Sequence, residues 1–358
     1  MKIVVSGLGL IGASLALAIR NNMSGVVLFG YDFPDVLQTA VEKKIIDHPI
    51  NEWPAECADA DIIFLCAPLS VIEKHLHDLN RKVHPGCIVT DVGSTKANLS
   101  KMAESINFKG IYIGGHPMTG AEKSGISAAN PLLFENALYI LTNVNHHNNH
   151  IVEKKLYAVL NAIKARTLII DPVLHDEIMA LISHLPQIIA IGLMNLAAQK
   201  NSDSKPYFEL AAGGFRDLTR IASSPYTMWQ DILQSNQSNI EGVIDEFIKL
   251  LKDYRDNLGK LSQPFINANQ CRRNVPRHTK GFLQPLTDVM VYVNDQMGVI
   301  AKISNALSEN NIDIRDIELL KIREKEGGVF RLSFSGREQA GQAIRILESI
   351  NYQAFIRE

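Results

Sequence analysis

A strand, a glycine-rich turn, a helix, a second strand and an acid follow one another within the first thirty-two residues. Lys2-Ile3-Val4-Val5 reads as a buried strand and Gly7-Leu8-Gly9-Leu10-Ile11-Gly12 as the turn. Residues 13–20 open a helix, 26–29 form the next strand, and Asp32 stands just past it. A bare G-x-G-x-x-G says little; this one lies between strand and helix, with an acid twenty residues beyond Gly12. Gly7 permits the tight turn, Gly9 lets backbone approach a pyrophosphate, and Gly12 lets helix pack on strand. The helix N-terminus presents unpaired N–H groups and a positive dipole end to the phosphates. Asp32 accepts from a ribose diol and repels a 2′-phosphate, which favours NAD over NADP. Residues Gly7 to Gly12, Leu8, Leu10 and Ile11 included, together with Asp32, are the expected cofactor contacts. A glycine-rich turn without a ligand is the plain alternative.

At about 150 residues per domain, 358 residues suggest two or three domains. A hydrophobic share of 46% and a charged share of 21% describe an ordinary globular chain. A net charge of −2 gives no reason to expect nucleic acid or an anionic membrane as partner. The cysteines at 57, 66, 87 and 271 are scattered and read as inert thiols of a reducing compartment. The apolar N-terminus continues into a coherent α/β pattern, which argues against a signal peptide. No stretch is expected to span a bilayer; residues 188–198 come nearest, interrupted by Asn195. The expected location is cytoplasmic.

Candidate strands at 3–5, 26–29, 62–65, 88–91, 111–114, 137–141 and 167–170 alternate with helical patterns. Such alternation predicts a Rossmann-like, doubly wound, mainly parallel sheet over 1–171. Ligands on such sheets sit at the carboxyl ends of strands. Residues 172–260 lose strand signals and become helical, with a kink expected near His184–Pro186. The run 188–194 is apolar on every face, so it is buried in a core or a subunit interface. An all-α dimerisation domain is the favoured reading and a monomeric helical core the alternative. Residues 261–286 are polar and poorly periodic, a linker with a basic stretch at 271–280. Residues 287–358 follow the order β-α-β-β-α-β, a ferredoxin-like unit.

The residues after the strands carry the chemistry. Ala67 and Pro68 follow the third strand, where Pro68 would stiffen a loop beside the nicotinamide; a simple turn is the alternative. Ser94, in Asp91-Val92-Gly93-Ser94-Thr95-Lys96, could bond a substrate hydroxyl or orient a base, and could equally cap a helix. In Gly114-Gly115-His116-Pro117-Met118-Thr119-Gly120, the glycines suggest backbone packed close to a ligand. His116 there can take a hydroxyl proton while a hydride leaves the same carbon. Glu122 and Lys123 follow closely enough to join a polar network at the mouth. Gly213-Gly214-Phe215-Arg216-Asp217-Leu218-Thr219-Arg220 sets two arginines and an acid behind a glycine pair. The arginine fork suits a carboxylate, and a surface ion-pair cluster is the alternative. His146, His147 and His150 lie in an Asn-rich loop and read as solvated, not as a metal site.

Together, Gly7 to Gly12, Asp91 to Lys96, Gly114 to Gly125, His175 to Pro186 and Gly213 to Trp229 resemble the prephenate dehydrogenases of tyrosine biosynthesis. The tail, with Asp295-Gln296-Met297-Gly298-Val299-Ile300-Ala301, resembles an ACT domain. The resemblance implies NAD-dependent oxidative decarboxylation of prephenate to 4-hydroxyphenylpyruvate. It implies His116 as the base and Ser94 as the residue that bonds both the ring hydroxyl and the histidine. Arg220 corresponds to the arginine that holds substrate carboxylate. His184, Thr119, Glu122, Asp217 and Trp229 correspond to positions that line or gate the pocket. One position departs: Gln187 replaces the second histidine of the family's Ser-His-Leu-Pro-His run. Glutamine keeps a hydrogen-bond donor that can hold the pyruvyl side chain, but it cannot become cationic, which leaves arogenate open as the substrate. The ACT resemblance implies an amino-acid effector, tyrosine, bound at a subunit interface near Asp295, Met297, Gly298 and Val299 and near Asn311 and Ile312; an oligomerisation unit without ligand is the alternative. It implies a homodimer, with ACT pairing beyond that. An amino-acid sensor that has lost catalysis is the reading from a different class.

Overall fold

The computed structural model describes residues 1–120, 124–143, 149–275, 286–323 and 327–356. It divides into two compact units, Met1–Gly259 and Lys260–Glu358.

In the first unit eight strands form one sheet. They are β1 (Lys2–Ser6), β2 (Val27–Tyr31), β3 (His48–Pro49), β4 (Ile62–Leu65), β5 (Ile88–Asp91), β6 (Ile111–Pro117), β7 (Leu138–Thr142) and β8 (Arg166–Ile169). Their order is β3-β2-β1-β4-β5-β6-β7-β8. Pairing is parallel from β3 to β6, antiparallel between β6 and β7, and parallel again to β8. The sheet is therefore mainly parallel, as the strand–helix alternation predicts. The two-residue β3 escapes sequence reading because it is too short for a pattern.

Alternation splits the core. Ile3, Val5, Ile62 and Phe64 face one layer of helices, and Val4, Ile63 and Leu65 face the other. Chain order reverses between β1 and β4, so the crevice beyond their carboxyl ends is the switch point where ligands bind.

After β8 the unit is helical. Pro172–Met179 is α-helical, Ala180–His184 is a π-helical turn and Leu185–Lys200 is α-helical again. The expected break near Pro186 is thus a π-turn upstream of it, with Pro186 tolerated in the first turn of the following helix. The three pieces join into a 29-residue run, Pro172–Lys200, long and apolar enough by length and composition to cross a membrane. This corrects the expectation that no stretch reaches that length: the π-turn joins two apolar segments without interruption. The run nonetheless carries Asp176, His184 and Gln187, all buried and hydrogen-bonded within the unit. Its other face is not buried in the single chain. Leu181 is 55% exposed and Ile182 58%, with Ile191 and Leu196 also open. Gly213–Thr219, Tyr226–Ser235 and Gln237–Asp256 complete the helices of this region. Ile232 of the middle one joins the core beneath the sheet.

The second unit opens with the helix Ser262–Asn274, none of whose residues is buried. The segment expected as a linker thus contains a helix, and its polar sequence shows in its exposure. Then come β9 (Thr287–Val293), the helix Val299–Glu309, β10 (Asp316–Arg323), β11 (Gly327–Phe334), the helix Arg337–Ser349 and β12 (Ala354–Ile356). The order β10-β11-β9-β12, antiparallel throughout, is the ferredoxin-like arrangement expected. Val289, Val291, Ile303, Leu307, Leu332 and Leu347 form its core.

Candidate active site

The glycine-rich turn lies in the switch-point crevice. A Cβ on Gly12 would overlap the carbonyl oxygen of Gly7, so only glycine lets this helix start so close to β1. Gly9 is different: a Cβ there would meet nothing within 4 Å. It stands at the N-terminus of the helix Leu10–Asn22, which no side chain among the described residues caps. An open, uncapped helix N-terminus is what a pyrophosphate needs. Asp32 is held by the backbone N–H groups of Leu8 (2.6 Å) and Phe33 (2.7 Å). The residues present therefore fit a dinucleotide. Leu8 departs from the expectation in one respect: its side chain is fully buried in the core, so only its backbone can face the turn. Leu10 and Ile11 are half-buried in the first helical turn. Ala67 is half-buried, and the exposed Pro68 starts the helix Leu69–Leu79.

A buried polar hub lies beyond β5. Asp91 and Lys96 are fully buried and form an ion pair. Asp91 also accepts from the Tyr112 hydroxyl (2.8 Å), Gly93 N–H (2.8 Å) and Gly115 N–H (3.2 Å). Burial pulls the Lys96 ammonium below the ordinary lysine range, opposed by Asp91. Burial likewise pushes the Tyr112 phenol well up, and Asp91 adds to it. The glycines before His116 are required by close neighbours within the protein. Added Cβ atoms would overlap the Thr142 hydroxyl at Gly114 and the Asp91 carbonyl at Gly115.

β6 runs to Pro117, further than the sequence pattern predicts, so His116 stands on the strand itself, paired opposite Ile140. Its Nδ1 lies 2.9 Å from Nε2 of His175. Nδ1 of His175 lies 2.7 Å from Oδ1 of Asp176. Asp176 in turn accepts from the backbone N–H of Lys96 (2.8 Å) and Ala97 (2.9 Å). It thereby caps the helix Ala97–Ser105 from eighty residues away in sequence, the task that sequence reading offered to Ser94. Ser94 is half-buried in the turn after β5. Burial pushes His116 well below the ordinary histidine range, with the Lys96 cation, His175 and His184 adding to it. His184 is pushed down to about 4 by burial, against the pull of Asp176. Asn236 binds both the Asp176 carbonyl (2.8 Å) and His184 Nδ1 (3.2 Å). The Trp229 ring meets His184 edge-on, with centroids 5.9 Å apart.

Sequence reading assigned no role to His175, Asp176, Asn236 or Tyr112. The signal for the first two was a His-Asp pair in the opening turn of a helix; the others carried none. Gln187 is buried, and its amide donates to the Ile221 carbonyl at 3.0 Å, pinning the turn Arg220–Ser223. Arg220 itself is exposed at the start of that turn, and Asp217 is exposed on the helix before it. The Thr119 hydroxyl donates to Leu133 O at 3.1 Å. Glu122 and Lys123 lie outside the described residues, as do His146 and His147.

In the second unit, Asp295, Gly298 and Val299 line a cavity of about 220 Å³ with Asn294, Leu319 and Phe330. Met297 is fully exposed beside it. Asn311 and Ile312 lie past the other end of the helix Val299–Glu309, and Ile312 is a core residue. Eleven residues at 1.5 Å each separate the two segments by about 16 Å. The two groups of effector candidates thus stand at opposite ends of one helix.

Comparison with known proteins adds a second line. Residues 15–169 match the model described as prephenate dehydrogenase, nucleotide-binding domain, residues 171–264 its dimerization domain, and 287–351 the ACT domain. The chain is 34% identical to a prephenate dehydrogenase of Bacillus subtilis, over 99% of this chain and 97% of that one. It is 33% identical to one of Lactococcus lactis, over 97% of each. Among solved structures, the prephenate dehydrogenase of A. aeolicus with hydroxyphenyl propionate and NAD+ superposes with a TM-score of 0.70. Identity there is 28%, covering 76% of this chain and 97% of that one. Synechocystis arogenate dehydrogenase gives 0.66 at 30% identity, covering 76% and 98%.

Proposed function

The chain belongs to the prephenate dehydrogenase family of NAD-dependent enzymes, and we propose that it converts prephenate to 4-hydroxyphenylpyruvate by oxidative decarboxylation. The observation that carries this reading is His116: a neutral, partly buried imidazole anchored on a strand at the sheet's carboxyl edge. Bound NAD supplies the hydride acceptor for the ring carbon that bears the hydroxyl. His116 takes the hydroxyl proton as that carbon is oxidised. The bond from the ring to its carboxylate then breaks, carbon dioxide leaves, and its electron pair aromatises the ring. The proton returns to the phenol oxygen, so the chain ends the cycle unchanged. Ser94 orients the ring hydroxyl and Arg220 pairs with substrate carboxylate, its turn held by Gln187. Thr119, Glu122, Asp217, His184 and Trp229 complete the pocket.

Arogenate is the second reading, favoured by Gln187. A buried neutral amide, one N–H of which is engaged by Ile221, supplies no cation for a keto acid side chain. The chain acts as a cytoplasmic homodimer, with the exposed stripe Leu181, Ile182, Ile191 and Leu196 covered by a second copy. Tyrosine acts through the ACT domain, which adds a further contact between copies.

NADH formation with prephenate and with arogenate, measured side by side, tests the reading. Faster turnover of prephenate is expected. Preference for arogenate moves the assignment to the second reading, and no turnover of either leaves an amino-acid sensor. Tyrosine added to the full chain should lower the rate; an unchanged rate removes it as effector.

A further inference from the structure

We propose that His175 is the positioning residue that selects the tautomer of His116, with Asp176 holding His175 in turn. The proposal rests on the reading of His116 as the base, and extends it to residues with no part in that reading. The proton count along the chain of contacts carries it. Asp176 receives two backbone N–H groups, from Lys96 and Ala97, and the ring nitrogen of His175. A carboxylate so engaged is an acceptor only, so Nδ1 of His175 carries the proton and donates. A neutral imidazole protonated at Nδ1 has its lone pair on Nε2. That lone pair faces Nδ1 of His116 at 2.9 Å, so His116 must donate from Nδ1. Nε2 of His116 is then left with the lone pair, the form needed to take a proton from a hydroxyl. Free histidine in water favours the opposite tautomer, with the proton on Nε2, and in that form the nitrogen cannot act as base.

The frame that holds this arrangement is rigid. His175 is fully buried and Asp176 nearly so. Both lie in the opening turns of Pro172–Met179, whose start is capped by Asp171 through the N–H groups of Val173 and Leu174. Asn236 fixes the backbone at the Asp176 carbonyl. The two imidazole rings meet edge to face, 68° apart with centroids at 5.1 Å, which aims one lone pair along the other ring's N–H. Asp176 thus does two jobs at once: it caps a helix of the sheet layer and sets the protonation pattern of the helical segment's histidine.

The test uses the full-length enzyme. In His175→Leu, kcat should fall by about 10²-fold or more, the scale on which a wrong tautomer disables a histidine base, with KM unchanged. In His175→Gln, the side-chain oxygen can accept from His116 Nδ1–H, and most of the lost rate should return. The ¹⁵N spectrum of the histidine rings reads the tautomer without reference to catalysis, the His116 signals being those that vanish in His116→Asn. Wild-type His116 should carry its proton on Nδ1, and His175→Leu should move it to Nε2. An Nε2–H tautomer in the wild type overturns the proposal. So does a His175→Leu rate within twofold of wild type, or a loss that His175→Gln does not recover while the tautomer stays put. Should His116→Asn retain turnover, the base assignment fails, and the spectra still decide whether His175 sets the tautomer.

Discussion

In the sheet, every candidate group stands at or just past the carboxyl end of a strand: the Gly7 turn after β1, Asp32 after β2, Ser94 after β5, His116 at the end of β6. In the helical segment no such rule holds. His175, Asp176 and His184 point inward from one helical run, Asn236 comes from the start of another helix, and Arg220 from a short turn. A parallel sheet has one ligand-bearing edge, so chain position and function are coupled there. A helix presents a residue to any neighbour its face can reach, so the coupling is made by packing. The helical groups also hold the sheet groups in place, since Asp176 caps a helix of the sheet layer and His175 contacts His116.

Substitutions on the two sides should therefore fail in different ways. His116→Asn should keep NAD binding while kcat falls by roughly 10²–10⁴, about 3–5 kcal/mol of barrier, in steady-state assays. Near-normal turnover would remove His116 from the mechanism. The same base predicts the pH profile. A base works only with its lone pair free, so activity falls as His116, in contact with His175, takes up a proton. Burial lowers His116, so that limb lies below the ordinary histidine value near 6.5. Lys96, His184 and Asp176 are the other charged or titratable groups around it. A limb at or above that value would count against the assignment. Lys96→Met leaves the buried Asp91 without its cation and should cost about 3–5 kcal/mol of stability, read as a lower urea midpoint. An unchanged midpoint would mean the hub holds without the ion pair. Smallest is the helical anchor. Arg220→Gln should raise KM roughly 10- to 100-fold with kcat nearly constant, the loss of about 1.5–3 kcal/mol expected for a charged hydrogen bond. A drop in kcat at constant KM would place Arg220 with the sheet groups instead.

Much of the sheet half was legible because its signals are local. Period-two strands, a glycine-rich turn and the residues that follow each strand are read from short windows. The ACT unit was legible for the same reason, its order of strands and helices following from neighbouring residues. The helical half was less so. The π-turn at Ala180–His184, the exposure of Leu181 and Ile182, and the cap that Asp176 places on Ala97–Ser105 all join distant parts of the chain. Gly114 and Gly115 stand out in the sequence, but the Thr142 hydroxyl and Asp91 carbonyl that a Cβ there would meet lie elsewhere in the chain.

The dinucleotide fold, the family, the ACT unit and the candidate base are readable from sequence, because they follow from patterns that neighbouring residues carry. Contacts between distant segments settle which nitrogen of His116 faces His175, what caps the helix after β5, and what Gln187 holds. Those answers depend on lone pairs and N–H groups brought within 3.0 Å from 34 to 80 residues away, a proximity that no local pattern records.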